Sequence, residues 1–219
     1  NFIRNNTAEP AVQQAFFALA QQAIKEQIEY APLDARAYLI GGSFLNRLNQ
    51  FDTASPLLQK AQELTPNKQS PLFELATNDL NKGRYADAIV RTKKAFDLDP
   101  NYPDAQRLYM IALLYADKFT ELNAFIKEYP PTQVNEQLLG LFKEKQQYGL
   151  IISVYKGLVE KNPKVLNVRI SLAAAQFTGG DRAGAIATLR GAIKDFPEFE
   201  KNGNQIITDI NLGKSPIQK

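Results

Sequence analysis

Apolar residues recur through most of this chain at the spacing of amphipathic helices. Between Gln69 and Pro100 they stand three and four positions apart in two successive runs, which is typical of helices with one buried face. Asn81-Lys82-Gly83 separates the runs, and Gly83 suits the left-handed residue that often follows a helix. Pro100 ends the second run because proline cannot continue a helix. The stretch therefore predicts two antiparallel helices joined by a tight turn.

The same arrangement recurs along the chain at a nearly constant interval. Pro32, Pro66 and Pro100 follow one another at a spacing of 34 residues, and later prolines stand at similar intervals, at Pro131, Pro163 and Pro197. Alanines stand at fixed distances before several of these prolines: Ala54, Ala61, Ala88, Ala95, Ala185 and Ala192. Because small side chains let two helices approach closely, we predict that these alanines lie where paired helices touch. For the same reason we expect Gly42, inside a predicted helix, to contact Ala54.

This pattern of helix, turn, helix and closing proline resembles the tetratricopeptide repeat (TPR), a helix–turn–helix unit of 34 residues. The resemblance implies an all-α fold, a right-handed α–α superhelix or TPR solenoid of about five helix pairs with capping helices at both ends. It implies one array over residues 1–219. The expected N-terminal helix, five repeats, capping helix and tail are 8–31; 35–66, 69–100, 103–131, 132–163 and 166–197; 204–212; and 213–219.

In this family, the first helices of successive repeats line a concave groove that receives a peptide or a helix. Carried over to this sequence, the resemblance implies these groove-facing residues: Arg36, Leu39, Ser43, Arg47, Phe73, Thr77, Asn81, Arg107, Ile111, Tyr115, Ile170, Ala174 and Phe177. Family members that grip an acidic C-terminus carry Lys, Asn and Arg at such positions, whereas Leu39, Phe73 and Ile111 occupy several of them here. The resemblance thus implies an apolar or amphipathic protein or peptide partner.

Composition narrows the chemistry that the chain can perform. It has no His and no Cys, which removes the commonest general base, thiolate chemistry and disulfides. The formal charge is +3, from 26 basic and 23 acidic residues, too balanced to indicate a nucleic-acid partner. The glycine cluster from Gly179 to Gly184 lacks the context of a phosphate-binding loop, so we interpret it as a turn. We predict no catalytic residues, no cofactor and no metal.

The spacing of apolar residues in the N-terminal region predicts one further helix, which continues to Tyr30. Ala20, Ile24 and Pro32 fit the second-helix positions of a repeat that lacks its first helix, and Phe16-Phe17 supplies apolar surface on a second side. Asn1 to Thr7 is polar and is expected to fray, with Thr7 as a possible cap. Because the sequence begins with Asn1 rather than Met, we expect it to be processed or taken from a longer protein.

Two functions fit these observations. The first is a non-catalytic scaffold that binds a protein or peptide in its groove. The second comes from the run LTPNKQSPLFELATNDLNKGRYADAI, followed by FDLDPNYPDA, which is similar to repeats at the extracytoplasmic end of bacterial O-antigen ligase or polymerase-like membrane proteins. That resemblance implies an accessory segment tethered to an upstream membrane domain. No apolar run here reaches the roughly 20 residues that span a bilayer, so no direct membrane insertion is predicted. The compartment, cytoplasmic or extracytoplasmic, stays open.

Overall fold

A computed structural model describes residues 9–131 and 135–214 of the chain. Within these residues the secondary structure is entirely helical, which confirms the all-α prediction. The α-helices are α1 Pro10–Tyr30, α2 Ala35–Arg47, α3 Phe51–Leu64, α4 Gln69–Asn81, α5 Tyr85–Leu98, α6 Pro103–Tyr115, α7 Phe119–Glu128, α8 Glu136–Glu144, α9 Tyr148–Lys161, α10 Leu166–Thr178, α11 Arg182–Asp195 and α12 Glu200–Asn211. A short 3-10 helix, Pro197–Phe199, precedes α12.

The helices belong to two compact units. Unit 1 is Asn1–Ala116 and contains α1 to α6, and unit 2 is Asp117–Lys219 and contains α7 to α12. The predicted single array and its repeat boundaries stay predictions. The expectations for Asn1 to Thr7, for the start of the repeat at Thr132 and for tail residues 215–219 lie outside the described residues.

Paired helices touch through the alanines that recur in the sequence. In unit 1, α2 packs on α3 and α4 packs on α5, and in unit 2, α10 packs on α11. All six alanines are 0% exposed: Ala54, Ala61, Ala88, Ala95, Ala185 and Ala192. The expected contact of Gly42 is different in detail. A Cβ on Gly42 would lie 2.4 Å from the side chain of Leu58, with only the carbonyl oxygen of Ala54 nearby at 3.4 Å.

Each turn between paired helices contains one left-handed residue. These residues are Asn49, Gly83, Asp117, Gln146 and Gly180, with φ of 58°, 70°, 54°, 55° and 87°. In most of these turns, the amide of the next residue donates to a carbonyl five residues back, as Arg84 N does to Asp79 O at 2.8 Å. The turn is therefore a helix C-cap that reverses the chain direction. The Gly179–Gly184 cluster is one of these turns, as the sequence indicated, because Asp181 caps α11 by accepting from Gly184 N.

Unit 2 fills some of its alanine positions with larger side chains. Leu122, Ile151 and Leu158 are at most 3% exposed, so the unit buries them. Glycine allows a close approach at another position of this unit. A Cβ on Gly157 would lie 2.5 Å from Pro130 Cβ. The final helix, α12, begins at Glu200, before the predicted residue 204, because its polar first turn gave no apolar periodicity. It packs on α11 and buries Ile210 completely.

Candidate functional site

The first helices of unit 1 carry most of the residues predicted to line a groove. Helix α4 contacts both α2 and α6, so the three helices are adjacent. A buried polar network joins α2 and α4. Asn46 Nδ2 donates to the carbonyl oxygen and to the carboxylate of Glu74 at 3.0 Å, and Asn78 Nδ2 donates to Asn46 Oδ1 at 3.0 Å. Asn78 Nδ2 also donates to Phe51 O at 2.7 Å, which includes α3 in the network.

On α2, the predicted residues include two exposed cations and two half-buried side chains. Arg36 and Arg47 are exposed, while Leu39 and Ser43 are half-buried. Leu39 packs against the core cluster that contains Leu45, so only part of it faces solvent. Arg36 forms an ion pair with Asp34 at 3.0 Å, and this side-chain hydrogen bond is the main reason that the pKa of Asp34 lies below its usual value.

On α4, the central residue is Phe73. Its ring is half-buried and stacks on Tyr102, with ring centroids 5.9 Å apart and an interplanar angle of 21°. Thr77 Oγ1 donates to Phe73 O at 2.9 Å, and Asn81 Nδ2 donates to Thr77 O at 2.8 Å. Both polar side chains therefore bond to the backbone of their own helix, and the aromatic pair is the main contact surface on α4.

On α6, the predicted residues have three different environments. Arg107 is half-buried and forms an ion pair with Asp104 at 3.0 Å. Tyr115 is half-buried and stacks on Tyr85, with centroids 5.8 Å apart. Ile111 is only 5% exposed, so it is part of the interior and presents almost no surface to a ligand.

The remaining predicted residues lie on α10 in unit 2. Ile170 and Phe177 are half-buried and pack against a core cluster that includes Ala173 and Leu189. Ala174 is 3% exposed. These three side chains therefore contribute mainly to the interior of unit 2, and they form no contact surface comparable with the Phe73–Tyr102 pair.

Beside the predicted groove residues, Ile40 on α2 and Tyr102 at the start of α6 also reach the surface of unit 1. Ile40 on α2 is 63% exposed, and it stands four residues after Arg36 and three before Ser43, the spacing of one helix face. Tyr102 is 39% exposed because it is the extended N-cap of α6. Its position directly before Pro103 was a usable signal, since a residue before proline is disfavoured in a helix.

Tyr85, the first residue of α5, also reaches the surface of unit 1. It is 36% exposed and its ring stacks on that of Tyr115. Within the described residues, no group of three or more acidic, His or Cys side chains could hold a metal ion. The first helices of unit 1 thus expose aromatic rings, aliphatic side chains and guanidinium groups.

Comparison with known proteins identifies the fold. No protein-family model matches the chain, and no curated protein matches it. Among solved structures, it is similar to YrrB, a TPR protein with an unusual peptide-binding site, at 17% identity and a TM-score of 0.51, over 81% of this chain and 94% of that one. It is also similar to a TPR protein from Parabacteroides merdae, at 16% identity and a TM-score of 0.53, over 84% and 75% of the two chains.

These likenesses show that the chain has the TPR solenoid fold, as its sequence predicted. Their low identity leaves the ligand to be argued from the residues of this chain. Among the helices of residues 9–131 and 135–214, none combines the length and the apolar character needed to cross a membrane.

Proposed function

We propose that this chain is a non-catalytic scaffold that binds a protein segment on the first-helix surface of unit 1. The observation that carries the proposal is the stacked Phe73–Tyr102 pair, in which Tyr102 is 39% exposed and Phe73 is half-buried. Aromatic residues that are anchored on one side and accessible on the other often dominate binding energy at protein interfaces. The pair joins α4 to the N-cap residue of α6, and α4 also packs on α2.

The neighbouring side chains favour an apolar or amphipathic ligand. Ile40 and Leu39 add aliphatic surface on α2, while Arg36 and Arg47 place positive charge on the same helix. A peptide or helix with buried apolar anchors suits this combination, as in the helix-in-groove mode of recognition. Binding through apolar anchors depends only modestly on ionic strength, because salt screens charges and not apolar contacts.

The likeness to YrrB supports the proposal at the level of the fold. YrrB is a TPR protein with a peptide-binding site, so a chain with this architecture can bind peptides. The buried Ile111 limits the surface proposed here to α2, α4 and the beginning of α6. Ile170 and Phe177 belong to unit 2 and are not part of this surface.

Peptide selection tests this function. A phage-displayed library of random peptides is selected on the whole chain, and the affinity of synthetic copies is measured by fluorescence anisotropy. We expect Phe73→Asp to weaken binding at least about tenfold, because it places a charge at the apolar anchor. Circular dichroism should show unchanged helicity. Lys93→Glu, on an exposed position of α5, is the matched control and should leave the affinity unchanged.

Two results would contradict the proposal: selection that yields no binding peptide, and peptides that bind the Phe73→Asp variant as well as the original chain. The alternative, an accessory segment of an O-antigen ligase or polymerase-like membrane protein, rests on the sequence resemblance alone. Its test is the parent reading frame, where several hydrophobic spans upstream of Asn1 would support it.

A further inference from the structure

The N-terminal helix α1 contains a second helix of a TPR pair together with an extension. Phe17, Phe51, Tyr85 and Phe119 follow one another at a spacing of 34 residues. The last three are the first residues of α3, α5 and α7. Residues 17–30 of α1 therefore correspond to α3, and residues 10–16 extend the helix beyond the usual start. The first helix that would pair with this segment does not precede it among the described residues.

The contact positions of this helix are uncovered. In α3, the three slots Ala54, Leu58 and Ala61 are all 0% exposed. At the corresponding slots of α1, Ala20 and Ile24 are half-buried and Gln27 is exposed, and no residue of α1 reaches full burial. The helix packs on α2, and a cleft of about 410 Å³ lies between it and helices α2 and α3.

A second apolar stripe lies on α1 beside the one that faces α2. Val12 is 55% exposed, Phe16 is 47% exposed and Leu19 is 71% exposed, and the exposed Ala23 continues the stripe. Residues 10–24 include no charged side chain. The other terminal helix differs, because the exposed surface of α12 carries polar residues such as Glu200, Lys201 and Asn204. A polar outer face suits the end of a repeat stack, whereas the face of α1 suits a contact.

The spacing of the stripe makes it complementary to itself. Val12, Phe16, Leu19 and Ala23 stand four, three and four residues apart, so the spacing is the same in both directions. If two copies of α1 lie antiparallel, Phe16 of each faces Leu19 of the other. Val12 of each then faces Ala23, which places a larger side chain against a smaller one.

We propose that α1 pairs with α1 of a second copy of this chain, antiparallel and about a twofold axis. Each α1 would cover the exposed apolar stripe of the other, and the contact continues the antiparallel pairing that joins the helices within each unit. A twofold contact uses the same patch on both partners, which the symmetric spacing of the stripe allows. Because residues 10–24 carry no charged side chain, pairing them buries no charge and avoids the cost of burying unpaired charges.

The oligomeric state in solution tests the pairing. Multi-angle light scattering and sedimentation velocity of the whole chain, between about 1 and 100 µM, should show a concentration-dependent dimer with twice the 24.5 kDa mass of the chain. Leu19→Glu should raise the dimer dissociation constant at least about a hundredfold, because it would place two charges in the contact. Since Leu19 is 71% exposed, helicity and melting temperature of the monomer should not change.

The matched control is Val90→Glu, which changes an apolar side chain that is 68% exposed on α5 and should leave the dimer intact. The chain has no Cys, so a cysteine pair can test the register. Val12→Cys combined with Ala23→Cys keeps the Phe16–Leu19 contact and should give a disulfide-linked dimer on mild oxidation. Gln14→Cys combined with Ala18→Cys, on the opposite side of α1, should not.

Three results would overturn the proposal: a chain that stays monomeric at all concentrations, a dimer that survives Leu19→Glu, and a dimer that the Val12/Ala23 cysteines do not cross-link. A chain that stays monomeric and binds another protein through this stripe would also overturn the proposal. The peptide-binding test on Phe73 is independent of these outcomes, because α1 lies outside the proposed peptide surface.

Discussion

Single residues determine the geometry of the turns between paired helices. The same left-handed conformation is adopted by glycine at Gly83 and Gly180 and by side-chain residues at Asn49, Asp117 and Gln146. Glycine adopts it without steric cost, and Asn and Asp tolerate it better than a longer side chain such as Gln. The turns therefore share one geometry but differ in backbone strain. Glutamine is the least suitable of these residues for a positive φ, and Gln146 has a φ of 55°.

Exchanging glycine and a side-chain residue at these turns should have opposite effects. Gly83→Ala should lower the free energy of unfolding by about 1 kcal/mol, because alanine is strained at this φ although its Cβ would meet nothing within 4 Å. Gln146→Gly should raise it by a few tenths to about 1 kcal/mol, since relief of strain exceeds the added chain entropy. Urea denaturation measures both. Changes of the same sign would contradict this account.

A second residue-scale feature is the buried carboxylate of Asp79. Its side chain is 1% exposed and accepts hydrogen bonds from Arg84 Nη2 at 2.5 Å and Arg91 Nε at 2.6 Å. It joins the last turn of α4 to Arg84, the residue before α5, and to Arg91 on α5. A buried charge with two cationic partners is costly to disrupt, because removal of one member leaves the others without their partner.

Asp79→Ala should therefore destabilise the protein by about 1–3 kcal/mol, less than a fully buried pair because both arginines are partly exposed. Thermal and urea unfolding measure this loss. Asp87→Asn is the matched control, since Asp87 lies 4.0 Å from the same Arg84 but its side chain is 62% exposed. It should change stability by less than about 0.5 kcal/mol. Equal losses in the two variants would show that burial of Asp79 is not the cause.

At the scale of elements, several helices could be predicted because a proline or glycine stands where each of them ends. Pro66 and Pro100 follow second helices, and Gly83 follows a first helix, so periodicity and termination agree. The accessibility of groove residues could not be predicted equally well. Helix α6 buries six consecutive residues, from Tyr109 to Leu114. When a helix is apolar on all sides, periodicity does not identify the face that remains accessible.

The close contact between α4 and α5 gives the element-scale prediction. Ala95 is 0% exposed, so Ala95→Leu adds three carbon atoms where no space exists and should cost about 1–3 kcal/mol. Lys93→Leu makes the same new side chain two residues away on the exposed side of α5 and should cost less than about 0.5 kcal/mol. Chemical denaturation of both variants measures the difference. Similar values would mean that the buried side of α5 has been assigned wrongly.

At the scale of the whole molecule, contacts are local along the sequence in each unit. Within the described residues of unit 1, the helices that pack extensively are neighbours, such as α2 and α3, or next neighbours, such as α4 and α6. The same holds for the described part of unit 2, where α7 packs on α9 and α11 on α12. In repeat proteins with local contacts, stability is approximately a sum of repeat and nearest-neighbour terms. Local destabilisation should then remain local.

Hydrogen exchange can test this locality with two equivalent substitutions. Ala95→Leu should increase amide exchange in α4, α5 and α6, whereas Ala192→Leu, at the equivalent 0% exposed slot of α11, should increase it in α10, α11 and α12. The reason is that each substitution strains only the helices that pack on it. Exchange is measured by mass spectrometry under conditions where both variants stay folded. Each variant is the control of the other, and a uniform increase across the chain in both would show that the two units open as one cooperative structure.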